Sequence, residues 1–545
     1  MTKRILNLLI ILFLIILSLP AIFPYFHPGY FPTHDGEWAV VRLGDMFRLL
    51  RDFQIPARYS GELNFGYGYP LFNFTYPLPY YLGMVPYLFR FGFVGSVKIL
   101  FAGSVLFSAV FMFLASKTLW KNTWAGVVSA VLYVYFPYRM VDLYVRGSIG
   151  ESLSFALFPL LLFLAIKLIE KISLKLIALI GISVAFLIMT HNIMTVLFMP
   201  FYIIFALVLA ALKNKKAIKA FLSSIFLGLG LSAFFWIPAI LEKGNILLSK
   251  IPIANRNLYF VSLKQLIIPG WGYGVPTDMG GFSYQLGVVN ITVFIITALS
   301  LLFFSLRFKK YFADYFIKIA GTLTIFSVCY LFLLFKPSEF LWHLPLLSEI
   351  NYPWIVLGIL GFLLSLIAGF FCRNSSGKYL MIILAILSFF TVLPYAQPEK
   401  FINNPDSYYL TNEATTTSSD ELMPLWVKSL PRQRAKNKVE LQGPGNIQGL
   451  IYDSKQIMFF VDSQTPTRIM INTIYYPGWK IYIDQVSTKI LYDNDLGVMQ
   501  IALPAGHHLI VGNFTETPLR LTSDIISLLS LLIVLILFKK KYAIS

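Results

Sequence analysis

Apolar residues run through this chain in blocks of about 20, the length a helix needs to cross a hydrocarbon core roughly 30 Å thick. Twelve such blocks can be marked: 5–26, 93–116, 122–140, 150–169, 174–191, 193–212, 217–240, 286–306, 316–335, 353–372, 379–395 and 521–538. Backbone in lipid must satisfy its own hydrogen bonds, so blocks of this kind predict spanning helices. Two stretches break the rhythm. Between 27 and 91, Ala39, Leu43, Met46, Phe47, Leu50 and Phe53 recur at helical spacing, with Arg42, Asp45, Arg48, Arg51 and Asp52 between them. That pattern predicts an amphipathic helix in the membrane interface, with Asp35 and Glu37 at its amino end. From 397 to 520 the apolar runs shorten, alternation at 456–461 and 468–473 predicts strands, and 494–497 and 504–506 read as turns. The expected architecture is mostly α and polytopic, with a multi-span domain over 1–396. A small extracytoplasmic β-sandwich over 397–520 and a transmembrane anchor with a basic tail over 521–545 follow.

Composition agrees with the pattern. Of 545 residues, 57% are hydrophobic and 13% charged, too little polar surface to cover a soluble particle of this size. The net charge of +18 raises the question of nucleic acid, but the basic residues cluster in alternate short connections. The clusters are Lys3/Arg4, Lys117/Lys121, Lys167/Lys171/Lys175, Lys213/Lys215/Lys216/Lys219, Arg307/Lys309/Lys310, Arg373/Lys378 and Lys539/Lys540/Lys541. Cytoplasmic retention of such clusters accounts for the charge, puts both termini in the cytoplasm and leaves no role for nucleic acid. Cys329 and Cys372 fall in or at the end of apolar blocks, in neither a disulfide nor a metal-ligand pattern. The first block lacks a small-x-small cleavage site and reads as a retained helix. Tyr76 to Phe91, broken by Pro77, Pro79 and Pro86, reads as a further half-span or re-entrant element.

The remaining connections then share the outer face, and they carry the candidate chemistry. Thr33-His34-Asp35-Gly36-Glu37-Trp38 holds two carboxylates and an imidazole within four positions. Asp35 is either a reactive carboxylate or simply the N-cap of the interfacial helix. The stretch 66–77, rich in Gly, Pro and Tyr and including Tyr69, is either interfacial packing or an aromatic wall beside a sugar or prenyl chain. In 138–151, Asp142 forms a structural ion pair with Arg139 or Arg146, or else Arg146 contacts phosphate, whose oxygens suit a planar guanidinium. Thr190-His191-Asn192 is a bend between two blocks, and His191 is either a satisfied interfacial group or a ligand contact. The long loop 242–286, with Trp271, Tyr273 and Asp278, reads as a lid or binding loop, and 336–352 adds Glu339, His343 and Glu349.

Several of these stretches resemble known membrane families. His34-Asp35, the 66–74 stretch, Val141-Asp142-Leu143-Tyr144-Val145-Arg146-Gly147 followed by Glu151, and Thr190-His191-Asn192 resemble the bacterial membrane proteins called "6-pyruvoyl-tetrahydropterin synthase-related". Tyr475-Tyr476-Pro477-Gly478-Trp479-Lys480, with Leu503-Pro504-Ala505-Gly506-His507-His508 and a final helix, is similar to YfhO-like proteins. Both groups resemble the GT-C glycosyltransferase superfamily, which implies sugar transfer from a polyprenyl-phosphate carrier on the outer face. It also implies that a first-loop carboxylate, here Asp35 with Glu37 second, acts as base or binds a metal. The chain departs from the resemblance at Tyr352-Pro353-Trp354-Ile355, where an Arg is expected after Phe-Pro-Trp.

The expected function is therefore an inverting transfer of sugar from a polyprenyl-phosphate donor to a cell-envelope glycan or glycolipid, at the outer face of the plasma membrane. Asp35 takes the acceptor proton and Arg146, with His191, steadies the leaving phosphate. His34, Tyr69, Asp142, Glu151 and Asn192 complete the expected substrate contacts. The residues name no definite cofactor, and a divalent Mg or Mn between Asp35 and Glu37 stays open, since two carboxylates alone are a weak metal signal. The rivals are a lipid-linked sugar transporter, which needs ionisable groups and broken helices at the bilayer midplane, and a glycan-binding scaffold.

Overall fold

Each of the twelve apolar blocks coincides with a helix or a broken helix in the computed structural model, which describes residues 3–275, 281–307 and 314–539. Asp278, Lys309, Lys310, Lys540 and Lys541 lie outside those residues. The expected count of full spans is corrected. Among the described residues eight helices are long and apolar enough to cross a membrane, or nine if Ala217–Leu231 and Ala233–Leu241, bent by 69°, are one span. The other three blocks fall on shorter apolar helices, Thr123–Val134, Leu174–Thr190 and Val288–Phe303.

The breaks have identifiable causes. In the block 122–140 the helix stops before Pro137, which has no amide hydrogen to donate and whose ring disfavours helix in the residue before it. The chain re-enters as Pro137–Val141 and widens into a π turn, Asp142–Arg146, which carries the candidate residues. At the 69° bend, Phe234 donates its amide to Ser527 Oγ (2.9 Å) and its carbonyl accepts from Arg58 Nη1 (2.6 Å). Leu78–Leu88, at 11 residues, reaches only about 16 Å, too short to cross a membrane.

The helix ends sort into two faces. At one, Lys117 bonds Asn7, Asn122 bonds the Cys372 carbonyl, and Lys167 and Lys213 share Glu170. At the other, His34 and Asp35 meet Val145 and Arg146, Tyr30 pairs with Ile402, and Arg256 holds the carbonyls of Trp342, Ser348 and Ile350. The described basic clusters fall at the first face and the candidate residues at the second.

The second face carries eight antiparallel strands: β1 (Val439–Leu441), β2 (Gly445–Tyr452), β3 (Gln456–Ser463), β4 (Thr467–Ile474), β5 (Trp479–Ile483), β6 (Val486–Thr488), β7 (Val498–Leu503) and β8 (Gly506–Phe514). They form a three-stranded sheet, β1-β4-β7, and a five-stranded sheet, β2-β3-β8-β5-β6. Alternation works as expected: Ile457, Phe459 and Val461 of β3 and Ile469 and Ile471 of β4 are buried, as in a sandwich core. The last helix, Pro518–Lys539, follows.

The stretch 397–438 is not sheet. Apart from Asp406–Leu410 and a few isolated bridges it is an irregular strap over the membrane domain. Asp406 accepts the amides of Phe93 (2.6 Å) and Val94 (3.0 Å), at the start of Gly92–Trp120. The strap changes the amphipathic helix, Gly36–Arg51: its apolar face is buried as expected, but so is Asp45, at 1% exposure. A side chain on Gly44 would strike Leu410, and Arg48 bonds the Leu410 carbonyl (3.4 Å). The helix lies between two layers rather than at a free interface, and burial raises the Asp45 pKa to about 6.

Candidate active site

Residues far apart in sequence meet here through the backbone. The amides of His34 and Asp35 donate to the carbonyls of Val145 (3.0 Å) and Arg146 (2.7 Å). The approach needs Gly147, which ends the π turn at φ +65° and where a Cβ would overlap Thr33 Oγ1. Thr33 Oγ1 accepts the Gly36 amide (2.9 Å) at the start of the helix Gly36–Arg51, while the Asp35 side chain makes no capping bond. The N-cap alternative for Asp35 therefore loses its hydrogen bond. The carboxylate is 40% exposed and lines a cleft of about 160 Å³.

Behind Asp35 stands Arg146, 11% exposed, with Nη2 3.8 Å from Asp35 Oδ2. Its Nη1 bonds Glu151 Oε2 and Tyr138 Oη (3.2 Å), and its guanidinium lies 4.7 Å from the centre of the Trp354 ring. Glu151 is fully buried and also accepts from Tyr138 Oη (2.6 Å). Burial works against the Arg146 charge, but Glu151, Tyr138 and Asp35 outweigh it and hold the pKa well above its ordinary value. Trp354 belongs to the Tyr352-Pro353-Trp354-Ile355 departure: where a cation is expected nearby in sequence, a ring instead stacks on Arg146.

The expected ion pair of Asp142 with Arg139 or Arg146 is not formed. Asp142 is buried and accepts from Ser152 Oγ (2.5 Å), while Arg139 bonds Ser104 Oγ (2.8 Å) and the Ser152 carbonyl (3.1 Å). Burial pushes the Asp142 pKa well up, so a neutral acid needs no counter-charge.

His191 caps the helix Asn192–Lys213, its Nδ1 accepting the Met194 amide (3.2 Å), and its ring centre is 5.0 Å from that of Tyr76, which lines the cleft. Burial, then the charge of Arg146, pushes its pKa down to about 3. With Nδ1 accepting, the neutral ring carries its proton on Nε2. Gly150 permits this packing, since a Cβ there would meet Tyr76 at 2.7 Å. His34 is half-buried with Nε2 3.3 Å from the Tyr273 carbonyl, and burial lowers its pKa.

Three expected contacts are placed elsewhere. Tyr69 is buried, its hydroxyl held by the Thr416 amide (3.2 Å) and Oγ1 (3.1 Å), so it packs under the strap rather than forming a substrate wall. Asn192 is exposed and does not line the cleft. Glu37 is half-buried, with a pKa raised by burial, and its charge is felt by Tyr30 and Tyr409. Asp35 lines the cleft and Glu37 is not among its lining residues. Among the described residues no group of three or more His, Cys, Asp and Glu could hold a metal.

The strap's part of the lining was not anticipated from sequence. Thr417, Ser418 and Glu421 of the strap line the same cleft as Asp35, with Trp38 and Tyr76 also in its lining. The only hint was the polar run from Thr415 to Glu421, which composition assigned to the β-rich region.

The arrangement defines a multi-span helical membrane protein with a β-sandwich before its last helix and a carboxylate-lined cleft beneath a strap. No protein-family model matches the chain, and the membrane families its motifs resemble stay a resemblance. An uncharacterised protein of Lactococcus lactis subsp. cremoris is 26% identical over 241 residues, 42% of this chain and 38% of that one. The Archaeoglobus fulgidus oligosaccharyltransferase in its apo form aligns over 78% of this chain and 61% of its own, at 12% identity and TM-score 0.48. The mycobacterial arabinofuranosyltransferase AftD aligns over 75% and 28%, at 14% identity and TM-score 0.48. The chain thus spans less than two thirds of each of these proteins.

Proposed function

We propose that the protein is a membrane glycosyltransferase of the GT-C type, moving a sugar from a polyprenyl-phosphate carrier to an acceptor hydroxyl with inversion. The observation that supports it most is Asp35: uncapped, lining a cleft and 3.8 Å from a buried arginine. In this reading Asp35 takes the acceptor proton as the acceptor oxygen bonds to the anomeric carbon. The bond from that carbon to the carrier phosphate breaks, and its electron pair leaves on the phosphate oxygen. Arg146 supplies positive charge beside the departing phosphate and the neutral His191 a further N–H, while Glu151 keeps Arg146 charged and aimed. His34 and the aromatic loop around Tyr273 flank the donor side. The basic clusters at the far face support, by the positive-inside rule, a reading in which the cleft opens on the extracytoplasmic side of the plasma membrane and the acceptor is a cell-envelope glycan or glycolipid.

The bent helix does not favour a transporter, because Ser527 and Arg58 satisfy the Phe234 backbone groups at the bend and lock it. Asp35→Asn in purified full-length protein tests the reading. Release of carrier phosphate from a labelled polyprenyl-phosphate sugar is expected to fall by about 10²–10⁴-fold, the usual worth of a general base. A fully active variant removes Asp35 from the mechanism.

A further inference from the structure

The two walls of the cleft differ in chemistry. On the Asp35 side stands the Arg146 charge. The strap side offers a carboxylate, Glu421, and the hydroxyls of Thr417 and Ser418. The cation in the lining itself, Arg42, is committed: its Nε donates to Thr416 Oγ1 (3.0 Å), Nη1 to Tyr80 Oη (3.3 Å) and Nη2 to the Thr416 carbonyl. The strap wall is also held in place. Tyr69 fixes Thr416, Thr415 closes on Asp420, and the Glu421 carbonyl accepts the Leu248 amide (2.8 Å). Glu421 accepts the Ser419 amide on Oε2 (3.0 Å), and Trp38 adds an indole to the same lining, with the Arg42 guanidinium 5.9 Å from its ring centre on one face.

A preformed carboxylate, two hydroxyls and an aromatic ring are the groups that bind a sugar, through its hydroxyls and its apolar C–H face. Away from Arg146, which the proposed mechanism gives to the carrier phosphate, the strap residues offer Glu421 and no uncommitted cation among the described lining residues, so an anionic acceptor there meets a like charge. We propose that the strap segment from Thr417 to Glu421 is the acceptor subsite of this cleft, and that it takes an uncharged sugar ring stacked on Trp38 with its hydroxyls on Glu421, Thr417 and Ser418. The subsite rests on the transferase reading for its role, but its binding chemistry can be measured without any transfer.

The test is saturation-transfer NMR on the full chain in nanodiscs, with methyl glycosides of uncharged hexose, pentose and N-acetylhexosamine disaccharides as probes and trigalacturonate as the anionic comparator. At least one neutral glycoside is expected to bind. Glu421→Gln is expected to weaken it tenfold or more, Thr417→Val with Ser418→Ala several-fold, and trigalacturonate to give no saturation. Variants are compared at matched Tm, and the double variant keeps the test usable where Glu421→Gln fails to fold. Absence of binding by every neutral glycoside, undiminished binding in the folded variants, or equal binding of trigalacturonate overturns the subsite. Failure of the transferase reading shows separately, as carrier-phosphate release indifferent to Asp35→Asn.

Discussion

Among the described residues two arginine–glutamate pairs lie largely buried, Arg146 with Glu151 and Arg520 with Glu242, and they differ in how far their bonding is closed. Glu242 is saturated: its oxygens accept from Arg520 Nε (3.0 Å) and Nη2 (2.7 Å), Asn73 Nδ2 (2.8 Å), Tyr476 Oη (3.3 Å) and Thr517 Oγ1 (3.3 Å). That knot ties the end of the bent helix to the 66–74 stretch, to Tyr476 beside the β-sandwich and to the last helix. The Arg146 pair has fewer bonds, and its guanidinium turns its other edge to Asp35, which faces the cleft. A buried ion pair by itself therefore says little about function. The open edge and the exposed carboxylate beside it distinguish the corner proposed to react from the structural one.

The sharpest break of this comparison is Asp35→Asn against Glu242→Gln. The first is expected to lose about 10²–10⁴-fold in carrier-phosphate release with an unchanged Tm. Glu242→Gln is expected to cost about 3–5 kcal/mol of stability, because Arg520 is left charged and buried, while the turnover of folded molecules holds. Urea unfolding with parallel turnover measurements separates the two, and equal stability losses at both sites would erase the distinction. A smaller effect is expected from Arg146→Lys, which keeps the charge but cannot reach Glu151 and Asp35 with two edges at once. Its kcat should fall about 10–100-fold, a loss of about 1.4–2.7 kcal/mol in barrier terms, and a wild-type kcat would remove the guanidinium fork from the argument.

The smallest effect is on pH. The folded pKa of His191, about 3, lies below its ordinary 6.5, so between these values the unfolded chain binds the extra proton. Stability from this group is fully present above pH 6.5 and declines as pH falls toward 3. His191→Asn should flatten that part of a Tm-against-pH profile, and an unaltered slope would place the proton uptake elsewhere.

Much of the fold was legible because its signals are local. Apolar blocks predict helices one by one, and alternation located β3 and β4. Span length was less legible: Pro137 and Ser232 interrupt blocks whose hydropathy runs on regardless. At the site, Asp35, Arg146 and His191 could be grouped by sidedness, since alternate connections share a face. Their contacts could not be foreseen. Glu151 rather than Asp142 takes Arg146, since a five-residue offset across the π turn and the following helix start sets which carboxylate the guanidinium reaches. Tyr69 looked like a substrate wall because the strap that covers it lies some 350 positions downstream.

By itself the sequence determined that this is a multi-spanning helical protein with a β-rich segment before its last helix and polar loops gathered on one side. Hydropathy, charge bias and residue alternation are properties of short windows and survive without partners. Only the tertiary structure decided which polar groups are satisfied and which stay open. Asp35 is uncapped because Thr33 takes the cap, Asp45 is buried because the strap crosses it, and part of the cleft that Asp35 lines comes from Thr417 to Glu421. A side chain's hydration and partners are set by what packs against it, and at this cleft the packing elements are hundreds of residues apart in the chain.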